Sequence, residues 1–290
     1  MPVRILKILI ITCWLILLGL LIQRDFFISS LGSSEQAALI RAKHEQYYAV
    51  YLNDKRIGYV MEDFRPRADN TFLVRQQADI RLKVLSSVHP ITMELTAELD
   101  NNLRLNSFRF TFSSPFYTMQ ANGRTEGKTV HFTLDTGQET IIKDTITLQA
   151  PPLLPLNQRG YLLAKLTSPG DKLKVPFFDP LTLTARQSVI TYRGREKLLL
   201  SSRVHNLHHF TESYSGLQIH FWLNDQGRII KEKLPAGFVF QAEPKFKAMV
   251  IDDTKVPDLT GGRETPDEHL TIEALRSLLG IKIPKQEKNR

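Results

Sequence analysis

The chain has 290 residues, of which 42% are hydrophobic, 23% charged and 9% aromatic; 15 glycines and 15 prolines are scattered along it. That composition excludes a disordered or collagen-like polymer and supplies enough apolar material for a sizeable core. The formal charge is +8, and the one cysteine, Cys13, lies in an apolar run, so an intrachain disulfide, a CxxC metal or redox site and a cysteine nucleophile beyond that run are all excluded.

From Ile8 to Ile22 the sequence carries no charge, and Ile5 and Leu6 extend the stretch if Lys7 snorkels toward lipid headgroups. About 18 helical residues at roughly 1.5 Å each span about 27 Å, close to the thickness of a bilayer core. Arg4 and Lys7 precede the run, whereas Arg24 behind it is offset by Asp25. The positive-inside rule therefore keeps the N-terminus in the cytoplasm and sends the rest of the chain outside. A cleaved signal peptide is the competing reading, with Ser30 and Gly32 as small residues for cleavage, but they stand well beyond the apolar run. The predicted anchor occupies residues 1–32.

Residues 33–46 have a Ser cap, an early Glu and good helix formers, and are predicted to form a helical stalk. Beyond them the apolar period becomes 2, which predicts an antiparallel β-domain over residues 47–242. In Phe72 to Val84 the residues Phe72, Val74, Ala78, Ile80, Leu82 and Val84 alternate with Arg75, Gln77, Asp79, Arg81 and Lys83. Ile91, Met93, Leu95, Ala97 and Leu99 repeat the pattern, so the two runs are expected to pair as a hairpin. Shorter runs follow at 103–113, 117–121, 129–135, 141–148, 181–192, 196–204, 218–223 and 229–233. Turns are expected at Asn101-Asn102, Asn122-Gly123, Thr136-Gly137, Arg193-Gly194 and Asn224 to Gly227. The expected fold is mostly β: one large curved antiparallel sheet, a meander forming an open or half-closed barrel, with an N-terminal transmembrane helix and a C-terminal amphipathic helix.

The stretch Ala150 to Leu156 breaks the strand rhythm and leads into a predicted short helix over residues 157–166 that plugs one end of the sheet. After Ala242, Pro244, Pro257 and Gly261-Gly262 mark a linker, and Thr265-Pro266-Asp267-Glu268 opens a tail helix closed by Gly280. Ile272, Leu275, Leu278 and Leu279 share one face of it and are the candidate partner-docking residues.

Tyr48 to Asn53 followed by Ile57-Gly58-Tyr59, then Phe178-Asp179-Pro180, Trp222 to Gly227, Lys231-Glu232 and Pro235-Ala236-Gly237 occur in an order similar to the non-catalytic N-terminal β-rich region of membrane-anchored bacterial transglutaminase-like proteins. In that family a papain-like Cys-His-Asp domain follows; no cysteine follows Cys13 here, so no catalytic residue carries over. The resemblance implies an accessory or binding module on the periplasmic side of a bacterial inner membrane, working beside a separate transglutaminase-like or envelope protein.

No constellation for catalysis stands out. His205, His208, His209 and His220 form the densest histidine cluster, but their spacing matches no ligand pattern and His208 and His209 point to opposite faces of a strand, so no metal site is assigned. There is no G-x-S-x-G elbow and no P-loop, and no cofactor is expected. The basic residues Arg193, Arg195, Lys197, Arg228, Lys231 and Lys233 suit an anionic lipid surface better than nucleic acid, which an extracytoplasmic domain does not meet. Phe108, Phe110, Phe112 and Phe132 are the candidate ligand-binding residues of a cavity on the concave face, although core packing alone would also select them. The expected function is a non-enzymatic, membrane-anchored module that docks a partner protein. The alternatives are a carrier or sensor holding an acyl chain on the concave face and, last, a histidine-based metal hydrolase.

Overall fold

The computed structural model describes residues 14, 29–30, 44–84, 87–137, 141–156 and 159–257. The expected anchor (apart from Trp14 and Ser29–Ser30), the stalk up to residue 43 and the tail helix with Ile272, Leu275, Leu278 and Leu279 lie outside the described residues. Among the described residues, no helix is long and apolar enough to cross a membrane.

Among the described residues, one continuous sheet of 15 strands dominates the structure. A first antiparallel meander comprises β2 (His44–Leu52), β3 (Lys55–Pro66), β4 (Phe72–Val84), β5 (Ser87–Leu99), β6 (Leu105–Ser114), β7 (Tyr117–Glu126), β8 (Thr129–Asp135) and β9 (Ile142–Thr147). A second comprises β10 (Lys172–Asp179), β11 (Thr184–Leu200), β12 (Arg203–Tyr214), β13 (Leu217–Leu223), β14 (Ile229–Lys233) and β15 (Phe238–Ala242). The two are joined edge to edge because β15 pairs antiparallel with β2, placing Phe240 opposite Val50. The short β1 (Ser29–Ser30) adds to the far edge in parallel with β10. The chain therefore does not meander straight through: from β9 it crosses to the opposite edge of the sheet and works back to the middle.

The period-2 pattern translates directly into burial. On β4, Phe72, Val74, Ala78, Ile80 and Leu82 are buried, and β5 pairs with it in register, Ala78 opposite Met93 and Gln76 opposite Leu95. Phe108, Phe110 and Phe112 of β6 bury their rings on the same side, each contributing roughly 1.5–3 kcal/mol.

Several expected boundaries change. β2 begins at His44, three residues inside the stretch expected to be helical. The expected turn at Asn122-Gly123 is the interior of β7, with Gly123 paired opposite Phe108; its lack of a side chain makes room for that ring and has nothing to do with chain reversal. Arg193-Gly194 is likewise no turn. The ladder between β11 and β12 shifts register between Tyr192 and Gly194, and Gly194 takes φ 103°, so it is a β-bulge inside a 17-residue strand. The reversal comes later, at Ser201 and Ser202 with φ 46° and 64°, a pair of left-handed residues matching the twist of a two-residue hairpin.

The segment after β9 stitches the sheet nearly shut. Leu153 bridges to Arg104 on one side and to Phe177 on the other, and its backbone exchanges hydrogen bonds with the second rim: Leu153 N donates to Pro176 O at 3.0 Å and Phe178 N to Leu153 O at 2.9 Å. Leu105 N donates to Pro152 O at 2.9 Å. A strand-like pass through the gap satisfies edge groups that an open barrel would leave to water. The helix α1 (Gly160–Lys165) that follows buries Tyr161 and Leu162 and is shorter than the predicted 157–166.

The interior consists of two apolar clusters. The first gathers side chains of β2 to β9 with Leu154, Leu156 and Phe178; the second gathers those of β10 to β14 with Leu153, Tyr161, Leu162 and Leu166. Val60 and Phe240 pack against both. Beyond β15 the stretch expected to be a loose linker is partly docked: α2 (Lys245–Ala248) lies against β2, and Val256 is buried in the first cluster.

Candidate functional site

At the seam between the two clusters the side chains do not fill the space. A cavity of about 310 Å³ remains, walled by Val60, Ala78, Ile80, Met93, Leu95 and Phe110 from the first meander and by Leu234, Phe238 and Phe240 from the second. Leu154, Pro155 and Leu181 close it where the chain crosses between rims. The volume is about twice that of a 150 Å³ engineered cavity that holds benzene, and falls in the range of small-molecule sites.

The polar groups gather at Tyr48, Gln76, Gln77, Asp179 and Glu232, which complete the lining. Gln76 sits on the inward face of β4 and donates from Nε2 to Glu62 Oε2 at 2.6 Å, and Glu62 is itself buried. Tyr48 Oη lies against Gln46 Oε1 and 3.2 Å from Ile229 O, two acceptors that keep its proton in place. Burial, followed by the nearby carboxylates of Glu62 and Glu232, holds the Tyr48 phenol well above its ordinary range. Asp179 Oδ1 accepts from Leu181 N at 3.0 Å, which fixes the corner between β10 and β11.

Behind the cavity the second cluster contains a buried ion pair. Arg159, at the start of α1, reaches Glu212 Oε2 at 3.1 Å and Leu156 O at 2.9 Å, and its guanidinium stands 4.6 Å from the ring centre of Phe221. Ser188 Oγ donates to Glu212 Oε1 at 2.7 Å. Burial pushes the neighbouring Tyr161 hydroxyl up to about 12, a group held neutral and structural.

His208 and His209 point to opposite faces of β12 and belong to two separate arrangements. His208 bridges Tyr192 Oη at 2.9 Å and Asp225 Oδ1 at 3.1 Å. His209 sits 3.1 Å from both Glu196 and His220, and stacks on Trp222 at 4.8 Å between ring centres. His205 joins neither. Among the described residues, no three metal-ligating side chains converge in a way that could hold an ion.

Of the residues singled out from the sequence, Phe110 lines the cavity; Phe108, Phe112 and Phe132 are packed into the first cluster away from it. None of those three is part of the cavity lining. Gln76 and Glu232 went unrecognised. The signal for Gln76 was present: it is the position in β4 where the apolar alternation lapses. Glu232 was hidden by a register shift between Trp222 and Leu223, which turns Ile229 and Glu232 inward together and defeats a simple period of 2.

No family model and no curated protein matches the chain. Among solved structures, a β-barrel-like protein of the domain of unknown function DUF1849 from Brucella abortus is similar, with a TM-score of 0.50 and 13% identity, covering 70% of this chain and 96% of that one. A DUF1089 family protein from Pseudomonas aeruginosa aligns with a TM-score of 0.34 and 14% identity, covering 61% of this chain and 90% of that one. The first similarity establishes the nearly closed barrel as a shared fold.

Proposed function

We propose that this protein is a non-enzymatic binding domain that holds a small lipophile in the seam cavity, tethered to a membrane by its apolar residues 8–22. The observation that carries the reading is the largely apolar pocket of about 310 Å³ at the seam between the two clusters. Folding favours filling such a space, since empty volume costs roughly 24 cal/mol per Å³. A retained cavity with polar groups gathered among its walls is the arrangement of a ligand site. The histidine arrangements and the buried Arg159–Glu212 pair are engaged with other protein groups and are not part of the cavity lining.

The test is to purify the full chain, extract it with organic solvent and identify any bound lipophile by mass spectrometry, beside the variant Ala78→Trp, whose indole would occupy the cavity. A near-stoichiometric lipophile in the native protein, lost in a folded Ala78→Trp, is expected. Equal recovery from both proteins, or none from either, would overturn the reading.

A further inference from the structure

The long hairpin of β11 and β12 outruns the sheet. β10 pairs with β11 no further than Thr191 and β13 with β12 no further than His208, so among the described residues 194–207 pair with each other alone, as a two-stranded ribbon that starts at the Gly194 bulge. On one face of the ribbon Leu200 and Leu207 are buried with Trp222, and Leu198 and Ile230 pack against them. The sequence neighbours of Trp222, Phe221 and Leu223, belong to the interior, so this face of the ribbon lies over the outer wall of β13 and β14. The opposite face looks away from the barrel, and there Leu199 and Val204 stand as a cross-strand pair, 71% and 68% exposed.

α2 lies beside the tip of the ribbon, where Lys247 Nζ donates to Ser201 Oγ at 3.4 Å. It packs on β2, leaving Phe246 80% exposed and Met249 and Val250 exposed behind it. Two elements distant in sequence thus bring five apolar side chains to one patch of surface, more than scattered exposure accounts for. Lys197 and Arg203 of the ribbon border the patch, and Lys55 of the β2–β3 turn shares a hollow with Phe246 and Val250. These three cations form no salt bridge with a described residue. The acids nearby are engaged elsewhere: Glu243 with Arg56 and Lys247, Asp252 with Lys255, Asp253 with Arg81, while Asp54 acts on Lys231. The rim of the patch is therefore left positive.

The chain that precedes the barrel says what meets this patch. Ser29 pairs with Leu173 at the edge of the sheet, and six residues separate it from Ile22, the end of the apolar run. Even fully extended, that connection spans no more than about 25 Å. With residues 8–22 in a bilayer, lipid is always within reach of the barrel, whereas a second copy or a soluble partner must be gathered from solution. Resting on the tether reading above, we propose that the ribbon tip and α2 dock on the bilayer surface, Leu199, Val204, Phe246, Met249 and Val250 entering the head-group boundary and Lys55, Lys197 and Arg203 facing anionic head groups.

The experiment uses the full chain with Cys13→Ser, reconstituted in phosphatidylcholine vesicles with and without phosphatidylglycerol. Each sample carries one cysteine labelled with the fluorophore NBD: Val204→Cys, Phe246→Cys or, as reference, Lys128→Cys in the exposed β7–β8 turn. Lipids bearing a doxyl group near the head group quench a probe that enters the bilayer. Emission at 204 and 246 is expected to shift to the blue and to be lost to the doxyl lipids, while that at 128 is unaffected. Phosphatidylglycerol is expected to deepen the quenching unless Lys55, Lys197 and Arg203 are all changed to Gln; equal quenching without it would overturn the role of the three cations. No quenching at 204 and 246, or equal quenching at 128, would overturn the docking. So would a blue shift without quenching, which would mean that protein, a second copy included, covers the patch. An alkaline carbonate wash tests the tether separately: a chain retained by the vesicles but unquenched overturns the docking alone, and one released although 204 and 246 were quenched overturns the tether alone.

Discussion

Gly123 lies directly beneath the ring of Phe108: a Cβ built on Gly123 would fall 2.2 Å from Phe108 Cε1 and 2.7 Å from its Cζ. The pair stands opposite in the β6–β7 ladder, and the ring it accommodates continues to Phe178 at 5.2 Å between centres, linking the first meander to the crossover rim. Gly123→Ala must displace that ring. Overpacking of this kind costs about 1–3 kcal/mol, which urea denaturation will show as a lowered midpoint. In a Phe108→Leu background the same substitution should cost clearly less; an unchanged penalty would place the cause in the backbone and not in the ring.

The Arg159–Glu212 pair is 3% and 0% exposed, so neither charge has water to fall back on. Removing one partner leaves the other buried without its ion-pair partner, and Arg159→Met or Glu212→Leu alone should each cost about 3–5 kcal/mol. The double variant Arg159→Met with Glu212→Leu should recover much of that loss, since both desolvation penalties disappear together. A double-mutant cycle by chemical denaturation checks this, and strict additivity would show that the two residues do not act as a unit.

Glu243 fastens α2 to the barrel. It accepts hydrogen bonds from Arg56, from Lys247 Nζ at 2.9 Å and from Tyr51 Oη at 3.1 Å, while Arg56 also donates to the carbonyl of Lys247 at 2.9 Å. Burial by itself would raise this carboxyl, but the hydrogen bonds from Arg56 and Lys247 outweigh it and hold the group below the ordinary carboxylate value. A depressed folded-state value means that the stabilisation is complete above the unfolded value of about 4.5 and is lost as pH falls through the folded one. Stability measured between pH 5 and pH 3 should therefore decline less steeply in Glu243→Gln, and hydrogen exchange over residues 243–250 should be faster in that variant at neutral pH.

How much of this was legible in the sequence depended on whether one strand could be read without its neighbours. β4 was, to the residue, because Phe72 to Leu82 alternate on a surface with one wet and one apolar side. Gly123 and Gly194 were not, since a glycine that relieves a ring, a glycine in a bulge and a glycine in a turn look the same until the opposing strand is known. The edge-to-edge joining of β15 with β2 was also invisible: it pairs residues nearly 200 positions apart through Phe240 and Val50, which carry no local mark of each other. The cavity depends on that same joining, because its walls come from both meanders. Phe110 could be nominated from its own strand, but Phe238, Phe240 and Leu234 needed the seam to exist first.

His209 is the group on the outer face whose titration is set by its surroundings. Burial lowers its affinity for a proton; the carboxylate of Glu196 works against this, and His220 and Arg193 reinforce it, so the ring titrates below 6.5. It is also stacked on Trp222, with interplanar angle 13°. Between the folded and unfolded values the unfolded chain binds more protons, so stability rises with pH across that window and falls as the solution is acidified below 6.5. Ring-proton NMR should give His209 a midpoint below 6.5, and denaturation midpoints should fall between pH 7 and pH 5. His209→Gln keeps a polar side chain beside Glu196 but cannot titrate, so it should flatten that part of the pH profile. A midpoint above 6.5 would mean that Glu196 dominates, and the slope contributed by this residue would then reverse sign.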